Sequence, residues 1–309
     1  MVCNIHMEKE TDAPVAPTDG AAEGTTTKGV RTVKSADRTL ALLDYLIRAQ
    51  GPRTLREVSD DLHLPKASAY ALLLTLQRRG WVESVSNRFT LGLRTLEAAI
   101  AAIDLDPVVR LTEDVRYRLI SELGETIHLA RLDGCEVVYL QSLVAPDRPA
   151  LLTRPGRRLP AYASALGKAI FAGRPWDSVT HLLPETFERL TPQTVANADD
   201  LHDQVAMAAR MGFSCEREEN MPGIVCYAIA VPTDEIPEYA ISCSIPSRHL
   251  SPALEETVKT RLLQVARELQ PSSRTAESLS PTAEHIDNSP TDLLIPPLTE
   301  TSSHGDVTL

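Results

Sequence analysis

A winged helix-turn-helix followed by an α+β domain, with disordered tails on both sides, is the fold class this sequence predicts. Three observations predict it: a helix, helix, helix, hairpin order in the first ordered stretch, a basic charge balance confined to that stretch, and hairpin strands interleaved with amphipathic helices after it. The chain has 309 residues, 43% of them apolar, enough for one or two domains with real cores. Its net charge of −11 would by itself argue against a nucleic-acid partner. Between Arg31 and Arg94, however, eleven Lys and Arg stand against six Asp and Glu, a local balance of +5 that leaves −16 for the remainder. One basic segment inside an acidic chain is the footprint that phosphate contact needs.

Residues 1–30 are rich in Ala, Pro, Gly and Thr, show no hydrophobic period and read as a disordered arm. Residues 31–92 read as the DNA-binding domain. In "SADRTLALLDYLIRAQG", Ser35 is the expected N-cap, Leu40, Leu43 and Ile47 keep helical spacing, and Gly51 marks the end. "TLREVSDDLHL" opens with Thr54 and has Glu57 three residues on, the signature of a capping box on a second, short helix. "LPKASAYALLLTLQRRG" is the third helix, closed by Arg78, Arg79 and Gly80. "WVESV", the turn pair Ser86-Asn87 and "RFTLG" then form a tight β-hairpin with Arg88 at its tip.

In a winged helix-turn-helix the third helix enters the major groove and the hairpin follows the phosphates. At 100° per residue, Ala69, Leu72, Leu73 and Leu76 form the core stripe of the third helix, and Ala67, Ala71, Leu74 and Arg78 lie opposite, with Tyr70 at the edge. Lys66 and Ser68 near the helix start are the expected phosphate anchors, and Tyr70 reaches a phosphate or base edge. Ala67 and Ala71 face thymine methyls, which predicts an A·T-rich operator. Arg53, Arg78 and Arg88 complete the expected DNA-binding set.

Residues 93–106 read as a linker helix; "LRTLEAAIAAI" is too apolar to stand exposed alone and calls for a second copy or the next domain. Residues 107–270 read as the α+β domain. Its expected parts are a helix from Pro107 to Glu122 ending at Gly124, the hairpin "TIHLARL", Asp133-Gly134, "CEVVYLQSL", and a loop with Pro155 and Gly156. Helices "ASALGKAIFAG" and Asp199 to Met211 follow, then "GFSCEREEN", the strands "GIVCYAIAVP" and "YAISCSIP", and a last helix from Ser251 to Leu269. Residues 271–309, with five prolines, thirteen Ser and Thr, and six acids against one Arg, read as a second disordered tail, where "DLLIPPL" is an isolated apolar cluster of the kind that docks on a partner.

No apolar run approaches the roughly 20 residues of a membrane span, and the N-terminus lacks a signal-peptide pattern, so the expected compartment is the cytoplasm. Cys3, Cys135, Cys215, Cys226 and Cys243 form neither a C-x-x-C pair nor a zinc cluster; reduced, mostly buried thiols are expected, with no metal and no cofactor.

In order, the winged head, the linker helix, "ELGETIHLARLDGCEVVYL", "PGRRLPAYASALGKAIFAG", "GFSCEREENMPGIVCYAIAVP" and "AISCSIP" resemble the IclR family of bacterial transcription regulators, from about Val33 to Gln270. The resemblance implies a GAF-like effector-binding domain, a homodimer that pairs into a homotetramer or stays a dimer, and an inverted-repeat operator on double-stranded DNA whose binding a small-molecule effector alters. Carried over by position, it implies Ala165 and Leu166 on one wall of the effector pocket, Cys226 on another, Glu216 before the Glu pair, and the hydroxyls of Ser242 and Ser244 on the last strand. Two departures from the family pattern stand out. Leu166 replaces a small residue, which implies a more apolar or differently shaped ligand, and Glu216 is one methylene longer than the Asp of some relatives; in the head, Ala71 stands where many relatives carry Arg.

Other functions are weighed on the same residues. A Cys226 nucleophile needs a base, and no motif places His128, His181, His202 or His249 beside it. A redox role for Cys215, Cys226 and Cys243 needs them on neighbouring elements. Glu218 and Glu219, adjacent on an extended segment, would point to opposite faces and are expected to shape the pocket entrance rather than share a substrate. Arg157 and Arg158 read as salt-bridged surface or as steering groups for an anionic effector. The alternatives to a regulator are an enzyme acting on a small acid, for which no nucleophile with a placed base is found, and a co-regulator without DNA contact.

Overall fold

The computed structural model describes residues 32–49, 51–145, 154–233 and 235–270. The expected N-terminal arm, the C-terminal tail with "DLLIPPL", and Cys3 lie outside the described residues.

The head contains α1 (Lys34–Arg48), β1 (Arg53–Thr54), α2 (Leu55–Asp61), α3 (Lys66–Arg78) and the hairpin β2 (Val82–Val85) and β3 (Arg88–Leu91). Thr54 and Glu57 form the expected capping box on α2, each side chain bonding the other residue's backbone N–H. Ser86 and Asn87 both hold positive φ, 50° and 62°, the geometry of a two-residue turn matched to strand twist. On α3, Ala69, Leu73 and Leu76 are buried and Leu72 is half-buried, as the stripe predicts.

Three details differ from the sequence reading. Helix α1 begins one residue before Ser35, after a Val33 N-cap that makes no side-chain bond, and it ends at Arg48, before Gly51. Its apolar residues form two overlapping stripes, and the core takes Leu42 and Leu46, leaving Leu40 and Ile47 about two-thirds exposed, at 62% and 63%. Strand β1 was not foreseen: two residues make a strand only because β3 supplies the partner, with Arg53 opposite Phe89.

The linker helix is α4 (Leu93–Leu105), and none of its residues is buried. The expected Pro107 to Glu122 helix is two pieces, α5 (Pro107–Leu111) and α6 (Glu113–Leu123). The buried Arg116 guanidinium ties the two pieces together, donating to the carbonyls of Val109 in α5 and Thr112 between them.

The larger domain is built on one antiparallel six-stranded sheet, formed by β4 (Thr126–Asp133), β5 (Glu136–Leu143), β6 (Arg158–Pro160), β7 (Ser214–Arg217), β8 (Ile224–Ala230) and β9 (Tyr239–Pro246). The spatial order is β6-β5-β4-β9-β8-β7. The short β6 stands where the sequence predicts loop; it pairs with β5, and its Arg158 makes ion pairs with Asp133 and Glu136, the salt-bridged reading of that arginine. Helices α7 (Ala165–Ala172), α8 (Trp176–Thr180, unforeseen), α9 (Ala198–Met211) and α10 (Pro252–Glu268) complete the domain.

Strand alternation sorts the sheet into two unlike faces. Ile127, Leu129, Val225, Tyr227, Ile229, Ile241, Cys243 and Ile245 pack with α6 and α10 in an apolar layer. The opposite face packs against α7 and α9 through Ala130, Ala228 and Ala240. Helix α7 sits close to the short turn before it, since a Cβ on Gly167 would lie 2.2 Å from the Ala161 carbonyl oxygen.

Candidate nucleic-acid interface and ligand cavity

Helix α3 presents Lys66, Ala67, Tyr70, Ala71 and Arg78 to solvent along one strip, with Ser68 half-buried at its flank. Tyr70 is 51% exposed although it is a large aromatic with no core partner. Arg88 begins β3 of the wing sheet, opposite Thr54 and Val85, and donates to the Pro52 carbonyl at 3.2 Å. Arg53 is held differently: its guanidinium is 3.7 Å from the Glu57 carboxylate and 6.0 Å from the Tyr45 ring centre. Of the eight residues expected to meet DNA, Arg53 and Arg88 thus both have their guanidinium groups engaged inside the head.

The larger domain contains a cavity of about 240 Å³ between the polar part of the sheet and the start of α7. All six residues expected at an effector site line it: Ala165, Leu166, Glu216, Cys226, Ser242 and Ser244. Strand register explains why. Glu216 pairs with Cys226, Cys226 with Ser244, and Ser244 with Thr126, so four polar side chains form one row across β7, β8, β9 and β4. The next row on the same face runs from Ala228 through Ser242 and His128 to Ser142. The Cys226 sulfur lies 3.1 Å from the Ser244 hydroxyl.

At one end of the cavity stands Glu216. Its Oε1 accepts the backbone N–H of Glu219 and, at 2.9 Å, that of Asn220. Burial nevertheless pushes its carboxyl up to about 7, against the lowering effect of these bonds and of Lys168. The turn that provides the donors is not the extended segment the sequence reading assumed. Glu218 adopts a left-handed φ of 58°, which swings Glu219 inward to a buried ion pair with Lys168 of α7. Thr191 and Thr194 lock this turn by donating to the carbonyls of Glu218 at 2.7 Å and Glu219 at 2.6 Å. Asn220, Met221 and Gly223 from the same turn line the cavity, whereas Glu218 and Glu219, the residues expected to shape its entrance, are not among its lining.

Sequence reasoning did not assign His128, Tyr139 or Thr126 to the site, and the structure places all three in the cavity wall. Arg157 lines it as well, whereas Arg158 points to its surface ion pairs. His128 is fully buried, stacks on Tyr139 with ring centres 4.7 Å apart, and shares a 2.9 Å hydrogen bond between Nδ1 and Ser142 Oγ. The signal available in the sequence was the alternation Thr126, His128, in phase with Ser242, Ser244 on the neighbouring strand.

The cysteines behave as thiols. Burial, with Glu216 nearby, pushes the Cys226 thiol well above its ordinary range, so it is no nucleophile at neutral pH. Cys215 and Cys243 face the opposite, apolar side of the sheet from Cys226, and Tyr227 stands between them in register, which removes the geometry for a redox pair. Cys135 is exposed, contrary to the expectation of mostly buried thiols, because it follows Gly134 in the β4–β5 turn. Among the described residues no group of three His, Cys, Asp or Glu is placed to hold a metal ion, and no helix is long and apolar enough to cross a membrane.

Comparison with known proteins follows the same division. Residues 35–86 match the IclR helix-turn-helix domain, and residues 100–271 match the family described as bacterial transcriptional regulator IclR C-terminal. The chain is 29% identical over 207 residues to the HTH-type transcriptional regulator XynR of Escherichia coli (strain K12), covering 64% of this chain and 80% of that one. It is 28% identical over 237 residues to the HTH-type transcriptional repressor AllR of the same strain, covering 75% and 86%. Among solved structures, an IclR transcriptional regulator from Alicyclobacillus acidocaldarius superposes with a TM-score of 0.69 at 22% identity over 77% of this chain and 98% of that one. An IclR homolog from Microbacterium hydrocarbonoxydans, complexed with 4-hydroxybenzoate, gives a TM-score of 0.65 at 21% identity over 77% and 100%.

Proposed function

Because the chain belongs to the IclR family of bacterial transcriptional regulators, we propose that it is an effector-controlled repressor in which a small organic acid in the sheet cavity sets operator affinity. That it is a DNA-binding transcription regulator rather than an enzyme follows from the family and from relatives that are themselves regulators. The observation that carries the rest is the convergence of Ala165, Leu166, Glu216, Cys226, Ser242 and Ser244 on one cavity. A hydroxyl pair, a thiol and the N–H groups at the start of α7 suit the anionic end of a small acid. The homolog that holds 4-hydroxybenzoate supports an acid of that size class.

Helix α3 reads the major groove with Lys66 and Ser68 on phosphates, Tyr70 on a phosphate or base edge, and Ala67 and Ala71 on thymine methyls, while Arg78 and Arg88 follow the backbone. Arg53 contributes by positioning the wing, through Glu57 and Tyr45. The protein works as a homodimer or a pair of dimers. Leu93, Leu96 and Ile100 on α4 are 69%, 56% and 49% exposed, an apolar face that a second copy covers.

An effector changes operator affinity only by binding one arrangement of the two heads better than another, and the coupling is reciprocal. The test is titration of the chain with DNA from upstream of its own gene, at several salt concentrations, with and without small carboxylates. A steep salt dependence and a shift in DNA affinity matched by an equal shift in acid affinity are expected. A salt-insensitive or absent DNA complex rejects the DNA-binding assignment, and identical acid affinity with and without DNA rejects the coupling.

A further inference from the structure

His128 carries a feature that neither the fold nor the proposed acid-binding groups account for. Among the described residues its Nε2 is buried and has no hydrogen-bond partner, while the ring lines the cavity. Nothing about the ring's position is loose. Stacking on Tyr139 fixes its plane, and Ser142 fixes Nδ1. A buried polar atom held this firmly without a partner costs free energy in the empty protein, and such atoms in native structures have a reason.

The register places His128 on β4 and Glu216 on β7, three strand spacings apart, or roughly 14 Å between backbones. The cavity therefore has two distinct polar ends, with Cys226, Ser242 and Ser244 between them. Burial, reinforced by the charge of Arg157, pushes the His128 imidazole down to about 3, so the ring is neutral at physiological pH. A neutral imidazole offers an anion no charge. It offers one directed hydrogen bond, donated or accepted according to how Nδ1 shares the proton with Ser142. A hydroxyl, which both donates and accepts, satisfies either tautomer.

We propose that His128 is the specificity-determining residue of the cavity, and that it selects effectors bearing a neutral hydroxyl, bound at the β4 end, opposite Glu216. This rests on the reading of the cavity as the effector site and deepens it from small acids to hydroxy acids. An acid without the hydroxyl leaves Nε2 buried and unpaired. Discrimination on the order of tenfold to a hundredfold follows from the usual cost of stranding such a group.

The test is calorimetric titration of the full chain with matched pairs: benzoate and 4-hydroxybenzoate, cyclohexanecarboxylate and 4-hydroxycyclohexanecarboxylate, butyrate and 3-hydroxybutyrate. Two variants separate ligand reading from folding. His128→Asn keeps a polar atom near Ser142 but none at the ε position, whereas His128→Gln restores a polar atom there. In at least one pair the hydroxylated member binds wild type about tenfold or more tightly, His128→Asn loses the preference, and His128→Gln retains part of it. A preference unchanged in His128→Asn, or no pair in which the hydroxyl helps, overturns the inference while leaving the cavity as an acid site. No saturable binding by any of the acids overturns the acid-site reading itself and this inference with it.

Discussion

Replacing Glu216 by Gln isolates the energetic cost of one group at the cavity. The amide oxygen keeps the acceptor that the Glu219 and Asn220 N–H groups bind, and the ionisation disappears. In the folded chain the carboxyl titrates at about 7, against an ordinary value of 4.5. A carboxyl raised in this way contributes stability that is complete below 4.5 and is lost as pH rises through about 7, since the folded state holds a proton that the unfolded state releases. At about 1.4 kcal/mol per pH unit, that gap corresponds to a loss of about 3 kcal/mol. His128 works in the opposite direction, because its folded value of about 3 costs stability as pH falls below 6.5. It is present in both chains, so the difference between wild type and Glu216→Gln removes it. Urea unfolding at fixed protein concentration, from pH 5 to 8.5, should show the variant gaining on wild type by roughly 2 to 3 kcal/mol across that range. Parallel stability profiles for the two chains would refute the claim that Glu216 is desolvated enough to hold a proton near neutrality.

Three further outcomes are expected. Lys168→Met strands the buried Glu219 carboxylate and should cost about 3 to 5 kcal/mol in denaturant unfolding, with Glu219→Gln on top of it recovering part of the loss; a double variant no better than the single one would place the cost elsewhere. Leu96→Asp with Ile100→Asp should convert the assembly to smaller species in sedimentation velocity without lowering helix content, and an unchanged sedimentation coefficient would remove α4 from the interface. Lys66→Ala should reduce the salt slope of operator binding by about one, whereas Ala71→Arg should strengthen general DNA binding and change site preference. An unaltered binding-site profile for Ala71→Arg would take this face of α3 out of the groove.

What was legible in the sequence is local. The Thr54 and Glu57 box, the Ser86-Asn87 turn and the Ala69, Leu73, Leu76 stripe each depend on residues within one or two turns of chain, and each is present in the structure. Strands β1 and β6 were illegible because their pairing partners, β3 and β5, lie elsewhere in the chain. Helix α1 offered two overlapping apolar stripes, and only the placement of α2 and α3 decides that Leu42 and Leu46 go inward. Glu219 shows the same limit. Its inward turn depends on Lys168 from α7 and on Thr191 and Thr194, none of them its neighbours in sequence. The six effector-site residues were reached through family resemblance, and the strand register supplies the physical reason they meet.

His128 was passed over because alternation tells which residues share a face and not whether that face is covered. In "TIHLARL" the same pattern fits a strand with Thr126 and His128 in water and Ile127 and Leu129 in the core. Helix α7 changes the outcome by closing over the second face. The sheet then has a dry side packed on α6 and α10 and a second side where a buried carboxyl, a buried imidazole and a thiol surround a cavity. Such a side destabilises the empty protein. A ligand that pairs those groups is bound by the folded state and not by the unfolded one, so occupancy stabilises the fold through the same contacts that select the ligand.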